Sequence, residues 1–262
     1  MTSKLLFIAL ITKSAFPADL TQVTVDAFDR YIAATENNLE PRFRGYHFLS
    51  ADETPEWRQQ LQRGGLIIQP TRPSGVVAVK GGLIQDWTGA VFIPGSSLKR
   101  ALAIVQDYGH HKDFYKPDII DAKIRSRTGD DFQVYMRVVK AKLMLSDVLD
   151  IEHDIRFTTV DEHRVYSRAY SRRIAEVTEA GKPGEHELAV GKDRGFLWRL
   201  YRYSFFEESD GGVYVACQSI TLTRDLPFAL GKILGPIIRE LPGESLRNSL
   251  EQTRRAILGA SP

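Results

Sequence analysis

The chain has 262 residues, 43% hydrophobic and 26% charged, with a formal net charge of +2. At this length roughly three quarters of the unfolded surface can be buried, so stability requires neither a disulfide nor a metal. Cys217 is the only cysteine, which excludes an internal disulfide and a cysteine metal cluster. Balanced charge without a block of one sign argues against a nucleic-acid-binding face. The sequence contains no P-loop, dinucleotide glycine fingerprint, serine-hydrolase elbow or zinc-protease helix motif.

Lys4 precedes the apolar run Leu5 to Ile11, and Ser14, Ala15 and Ala18 follow. Residues 1–19 therefore resemble a secretory leader, too short to span a membrane. Candidate cleavage sites place Lys13 or Phe16 where a small residue is preferred. Export, periplasmic or secreted, is the expectation; the alternative is a buried first element of a cytoplasmic protein.

Residues 20–75 read as an N-terminal helical arm. Val25, Phe28 and Ile32 share one face of a helix predicted over 19–36. Thr54-Pro55-Glu56-Trp57 starts a second helix that stops at Gly64-Gly65. Gln69 to Gly75, with two prolines, reads as a loop and as the boundary to a main domain over 76–262.

From there the period changes to that of strands. Leu83–Ile93 is a predicted strand, and Ser96-Ser97 caps a helix carrying Leu98, Leu102 and Val105 on one face. Strands are then expected over 119–127, 132–145, 151–160, 164–177, 196–207 and 213–223, with short polar turns at Thr128 to Asp131 and Asp161 to His163. Few helices separate them, so the class is α+β with an antiparallel meander rather than a parallel α/β sheet. In the strand 164–172 one face carries Arg164, Tyr166, Arg168, Tyr170 and Arg172, while the other carries Val165, Ser167, Ala169 and Ser171. Small side chains on an inner face favour a sheet curved around a cavity, and the arginine row reads as a solvated outer face.

The chain closes on an apolar stripe through Phe228, Ile233, Ile237 and Leu241, continuing at Leu246, Leu250, Thr253 and Ile257. Gly235-Pro236 and Pro242-Gly243 interrupt it. This predicts a separate short helix over 226–240, placed to act as a movable lid, and a gripped helix starting near Pro242.

Three stretches carry a family resemblance: Trp87 to Pro94 with the helix ending at Tyr108, the loop His111 to Ile119, and the Gly-Gly-Val strand with Arg224-Asp-Leu-Pro-Phe228. In this order they resemble the START-like or SRPBCC superfamily, the Bet v 1-like helix-grip fold shared with polyketide cyclases and lipid-transport proteins. The resemblance covers residues 76–262. It implies about seven antiparallel strands wrapped around a long C-terminal helix, with an apolar tunnel between them. It also implies binding or transport of a hydrophobic small molecule such as a lipid, quinone, sterol-like or polyketide-like compound. The alternative it implies is a cyclase or aromatase working in the same cavity. The partners expected are a hydrophobic ligand and transient contact with a membrane, with no nucleic acid, cofactor or metal.

Alternation supplies candidate lining residues. If Phe206 pairs with Val213 across the glycine turn, Trp198, Leu200, Arg202, Ser204 and Phe206 share a face with Val215 and Cys217. Met136 lies on a second apolar face with Phe132, Val134 and Val138. Adding Trp87, the loop tyrosines Tyr108 and Tyr115, the small residues Ser167 and Ala169, and Phe228, Ile233 and Ile237 of the closing stripe completes the candidate ligand-binding set. Asp86 and Arg202 stand out as charges inside apolar strands, and whichever faces the cavity would orient a polar head group. His110-His111 lacks carboxylate companions at metal-ligand spacing, and adjacent side chains point apart.

Overall fold

Thr21 caps the first helix, its hydroxyl accepting from the Thr24 amide at 3.4 Å, and α1 (Gln22–Phe43) follows. The computed structural model describes the backbone of residues 18–142, 145–225 and 228–259, excepting side chains at 18, 53, 55, 140–142, 145–147 and 228–239. Residues 1–17 of the expected leader lie outside that description. The helix extends beyond the predicted end at residue 36 because Leu39 and Phe43 continue the stripe of Thr24, Phe28, Ile32 and Thr35. Pro41 falls in its last turn. Helix α2 (Pro55–Gln62) starts on its proline, as its sequence predicts.

Two strands precede the expected start of the sheet. β1 (Leu66–Pro70) and β2 (Val76–Val79) both pair with β3 (Gly82–Pro94). Pro70 sits at the end of β1, where a missing donor is tolerated. After α3 (Leu98–Val105) and a one-turn helix at His111–Phe114, the meander runs β4 (Ile119–Thr128), β5 (Asp131–Lys142), β6 (Leu145–Thr159), β7 (Arg164–Thr178), β8 (Arg199–Ser209) and β9 (Gly212–Arg224). The long strands stand in the order β1-β3-β9-β8-β7-β6-β5-β4, and the sheet has ten strands rather than about seven. Phe206 pairs with Val215, not Val213. A shift of two residues leaves the side chains of β8 and β9 on their predicted faces, while Trp198, ahead of β8, lies on the other face.

Both faces of the sheet are covered. On the inner side lies α4 (Phe228–Leu258), a single helix of 31 residues. The expected break does not occur, so the described residues hold no separate lid helix. Each proline costs the helix roughly 3 kcal/mol, offset by an apolar face that buries Leu246, Leu250 and Ile257. Gly243 is a point of close approach: a Cβ there would stand 2.6 Å from the Trp87 ring. Gly89 does the same from the sheet, where a Cβ would meet Leu250 at 2.9 Å and Ile68 at 2.5 Å.

On the outer side lie α1 and α2, and this corrects the reading of the arginine row. Tyr166 packs against Phe43, with ring centroids 4.7 Å apart, and the Arg168 guanidinium lies 4.2 Å over the same ring. Arg164 donates to the Gly45 carbonyl at 2.6 Å. The hydroxyls of Tyr170 and Tyr203 both donate to Glu36 Oε1, at 2.5 and 2.9 Å. The row is therefore the floor of a second core, built from aromatic rings of the sheet and the apolar stripe of α1. Only Arg172, at a bulge in β7, remains exposed.

Candidate ligand-binding site

Strand register places the inner face in rows. One row reads Gly89, Cys217, Ser204, Ser167, Phe157. The next reads Trp87, Ser219, Arg202, Ala169, Ile155, Phe132. In the third, Gln85, Thr221 and Leu200 pair in turn, the Leu200 amide donates to Ser171 Oγ at 2.9 Å, and Ser171 faces His153. Across β9, β8 and β7 these positions are small or hydroxylated, and the exceptions are Arg202 and Leu200.

A solid core would need large apolar side chains at the centre of such a sheet. Instead large apolar side chains gather toward the ends. Val91, Ile93 and Val213 are fully buried at one end, together with Leu246, Leu250 and Ile257 of α4. At the other end Leu149, Ile151 and Ile174 form a separate cluster under Leu197 and Leu200. Between them Trp87, Met136, Ala169, Leu200, Arg202 and Ser204 are only half-buried, although each lies on the helix-covered face. These partly accessible side chains mark a hollow in the packing of the sheet face on which α4 lies.

The hollow is rich in unused hydrogen-bonding groups. Arg202 Nε, Trp87 Nε1 and His153 Nδ1 are buried without a hydrogen-bond partner. Among the described residues no carboxylate occupies these rows and none forms an ion pair with Arg202. Burial, reinforced by the Arg202 charge, pushes the His153 imidazole down to about 3. Burial, again with a contribution from Arg202, pushes His111 down to about 4. His111 donates from Nε2 to the Val105 carbonyl at 3.2 Å, so its unpartnered Nδ1 is an acceptor. Burial raises the Cys217 thiol and the Tyr115 hydroxyl, and Arg202 opposes both shifts.

The predicted lining residues separate into groups. Trp87, Met136, Ser167, Ala169, Leu200 and Arg202 lie around the hollow. Phe206, Val215 and Cys217 are on the same face but buried in the cluster beneath α4. Tyr108 and Tyr115 belong to that buried zone rather than to an open loop: Tyr108 packs on His111 at 4.6 Å, and the Tyr115 hydroxyl is 3.1 Å from Thr253 Oγ1. Trp198 is on the opposite face. It precedes β8, packs into the core beneath α1, and donates to Asp193 Oδ1 at 3.0 Å. Phe228, Ile233 and Ile237 belong to α4, but their side chains lie outside the described residues.

Asp86, the other charge singled out in the sequence, faces the outer core, where Tyr31 and Gln218 donate to it at 2.9 and 3.0 Å. Burial raises its carboxyl above the usual range. His110 and His111 do point apart, the first to an exposed pair with Asp107 and the second into the core. Among the described residues no group of three or more His, Cys, Asp or Glu side chains could hold a metal.

Sequence reasoning missed His153, Ser219 and Thr221. Counting back by twos from Phe157 places His153 inward, and pairing Ser219 and Thr221 with β8 would have placed them beside Arg202. A further cleft of about 230 Å³ opens on the outer side of the sheet, between α1, α2 and the strands, with Arg42, Trp57, Gln69, Thr71 and Gln218 in its wall.

No protein-family model and no curated protein sequence matches the chain. Solved structures do. A STAR-related lipid transfer protein fragment from Xanthomonas axonopodis is 14% identical with a TM-score of 0.45, covering 69% of this chain and 99% of its own. Human StAR-related lipid transfer protein 5 is 13% identical with a TM-score of 0.41, over 79% and 95%. An aromatase/cyclase from Streptomyces is 10% identical with a TM-score of 0.41, over 67% and 94%. At these identities the likeness is one of fold, to the START and Bet v 1-like helix-grip proteins.

Proposed function

We propose that this protein binds a hydrophobic small molecule in the hollow between the inner sheet face and α4. The observation that carries this reading is the half-buried patch from Trp87 to Ala169 and Met136, which borders two packed clusters and remains partly accessible. Empty apolar volume forfeits dispersion contacts, and a ligand chain filling it would recover them. Each methylene moved from water would contribute about 0.8 kcal/mol. Aliphatic and aromatic groups around Trp87, Met136 and Leu200 suit such a chain, while the few polar groups would fix its orientation.

Filling the hollow with protein tests the reading. Nile red, a neutral apolar dye, is expected to brighten on binding the wild-type chain and to be displaced by 1-dodecanol. In Ala169→Phe the added ring occupies the centre of the patch, so dye binding should fall at least tenfold while the far-UV spectrum is retained. Undiminished binding by a folded Ala169→Phe protein would place the dye elsewhere.

A further inference from the structure

We propose that the ligand is an anionic amphiphile, a single apolar chain ending in a carboxylate or phosphate, whose head docks on Arg202. The inference rests on the reading of the hollow as a hydrophobic ligand site and adds the chemistry of its polar end.

Arg202 pairs in the sheet with Ser219 on one side and Ala169 on the other, neither long enough to engage a guanidinium. Its Nε is buried without a partner. Arg202 is half-buried overall, and its charge is felt by His111, His153, Tyr115 and Cys217, which come from separate elements and are all buried. A cation in such a place is costly unless it meets an anion and hydrogen-bond acceptors, and among the described residues none is within ion-pair reach.

Other polar groups on the same face also lack partners. Trp87 Nε1 can only donate, and it stands at the end of the row that holds Arg202. His153 is 6% exposed and keeps an unpartnered Nδ1 in the adjacent row. Ser204 and Ser167 place hydroxyls in the row on the other side. The planar guanidinium fork matches carboxylate and phosphate oxygens in two-point geometry. A neutral alcohol or ketone would satisfy a single donor and leave the charge uncompensated.

Binding of three probes with the same chain tests this by calorimetry at pH 7.5: dodecanoate, dodecyl phosphate and 1-dodecanol. The wild-type protein is expected to bind at least one anion tenfold or more tightly than the alcohol, and the tighter anion identifies the head. In Arg202→Met the preference should fall to about twofold or less, with affinity for 1-dodecanol retained. Equal binding of anions and alcohol by the wild-type protein would overturn the anionic head while leaving hydrophobic binding intact. An anion preference that survives in Arg202→Met would overturn the role of Arg202. Failure of all three probes to bind would remove both readings. Should Arg202→Met not fold, the wild-type comparison and Arg202→Lys decide: lysine keeps the charge but loses the fork, so a reduced but persistent preference is expected.

Discussion

Two buried histidines make the inner face sensitive to acid. His111 and His153 remain neutral in the folded protein down to about 4 and about 3, whereas an unfolded histidine titrates near pH 6.5. Below pH 6.5 the unfolded chain therefore takes up protons that the folded chain refuses, and stability falls as pH is lowered toward 4. The slope is about 1.4 kcal/mol per pH unit for each histidine. Urea midpoints measured at pH 7 and pH 5 should differ by more in the wild-type protein than in His153→Phe, which removes one of the titrating groups. An identical pH dependence in the two proteins would mean that His153 is solvated. The sequence marked Arg202 as a charge inside an apolar strand, but left its side open. Cross-strand pairing resolved it, and the same pairing brought in His153, for which parity with Phe157 is the signal in the sequence.

At the scale of elements, the closing helix and the sheet meet where side chains are missing. Leu250 of α4 is 3% exposed and sits over Gly89. Leu250→Asp would place an unpaired charge there and is expected to abolish cooperative melting. Leu250→Ala should cost about 2–5 kcal/mol through the cavity it leaves. A melting temperature unchanged in Leu250→Asp would show that α4 is not seated on this face. The two prolines of α4 read as breaks because local rules see only the lost donors. Burial at Leu246, Leu250 and Ile257 offsets them, a term that depends on the far side of the molecule. Strand positions were legible because alternation and short polar turns are local signals. β1 was not, since its five residues are bounded by Gly64-Gly65 and Pro70, and its pairing partner lies some twenty residues away along the chain.

The whole molecule is a sheet with a core on each face, and the arm of residues 20–62 supplies the second. Phe92, Tyr166, Tyr203, Phe205 and Tyr214 lie beneath α1 and α2. A chain beginning at Leu66 would expose this aromatic surface as a contiguous apolar patch of the kind that promotes association. Such a truncation is expected to self-associate in size-exclusion chromatography, and a monomeric, dye-silent product would show that the inner core suffices alone. Charged residues tie the arm down at its rim, where Arg58 donates to Asp52 and Glu207 at 2.6 and 2.7 Å.

Period, turn chemistry and capping in the sequence were enough for the α+β class, the long meander and the closing helix, because each is set by neighbours within a few residues. Which side chains share a face also followed within the paired strands, since strand parity survives a register shift of two, though not for Trp198 ahead of β8. Only the tertiary structure decided that the arginine and tyrosine row is a floor for α1, that α4 is unbroken, and that Arg202 stands among small residues with no acid paired to it among the described residues. These outcomes depend on surfaces brought together from distant parts of the chain, where burial and pairing energies exceed the local preferences that the sequence displays.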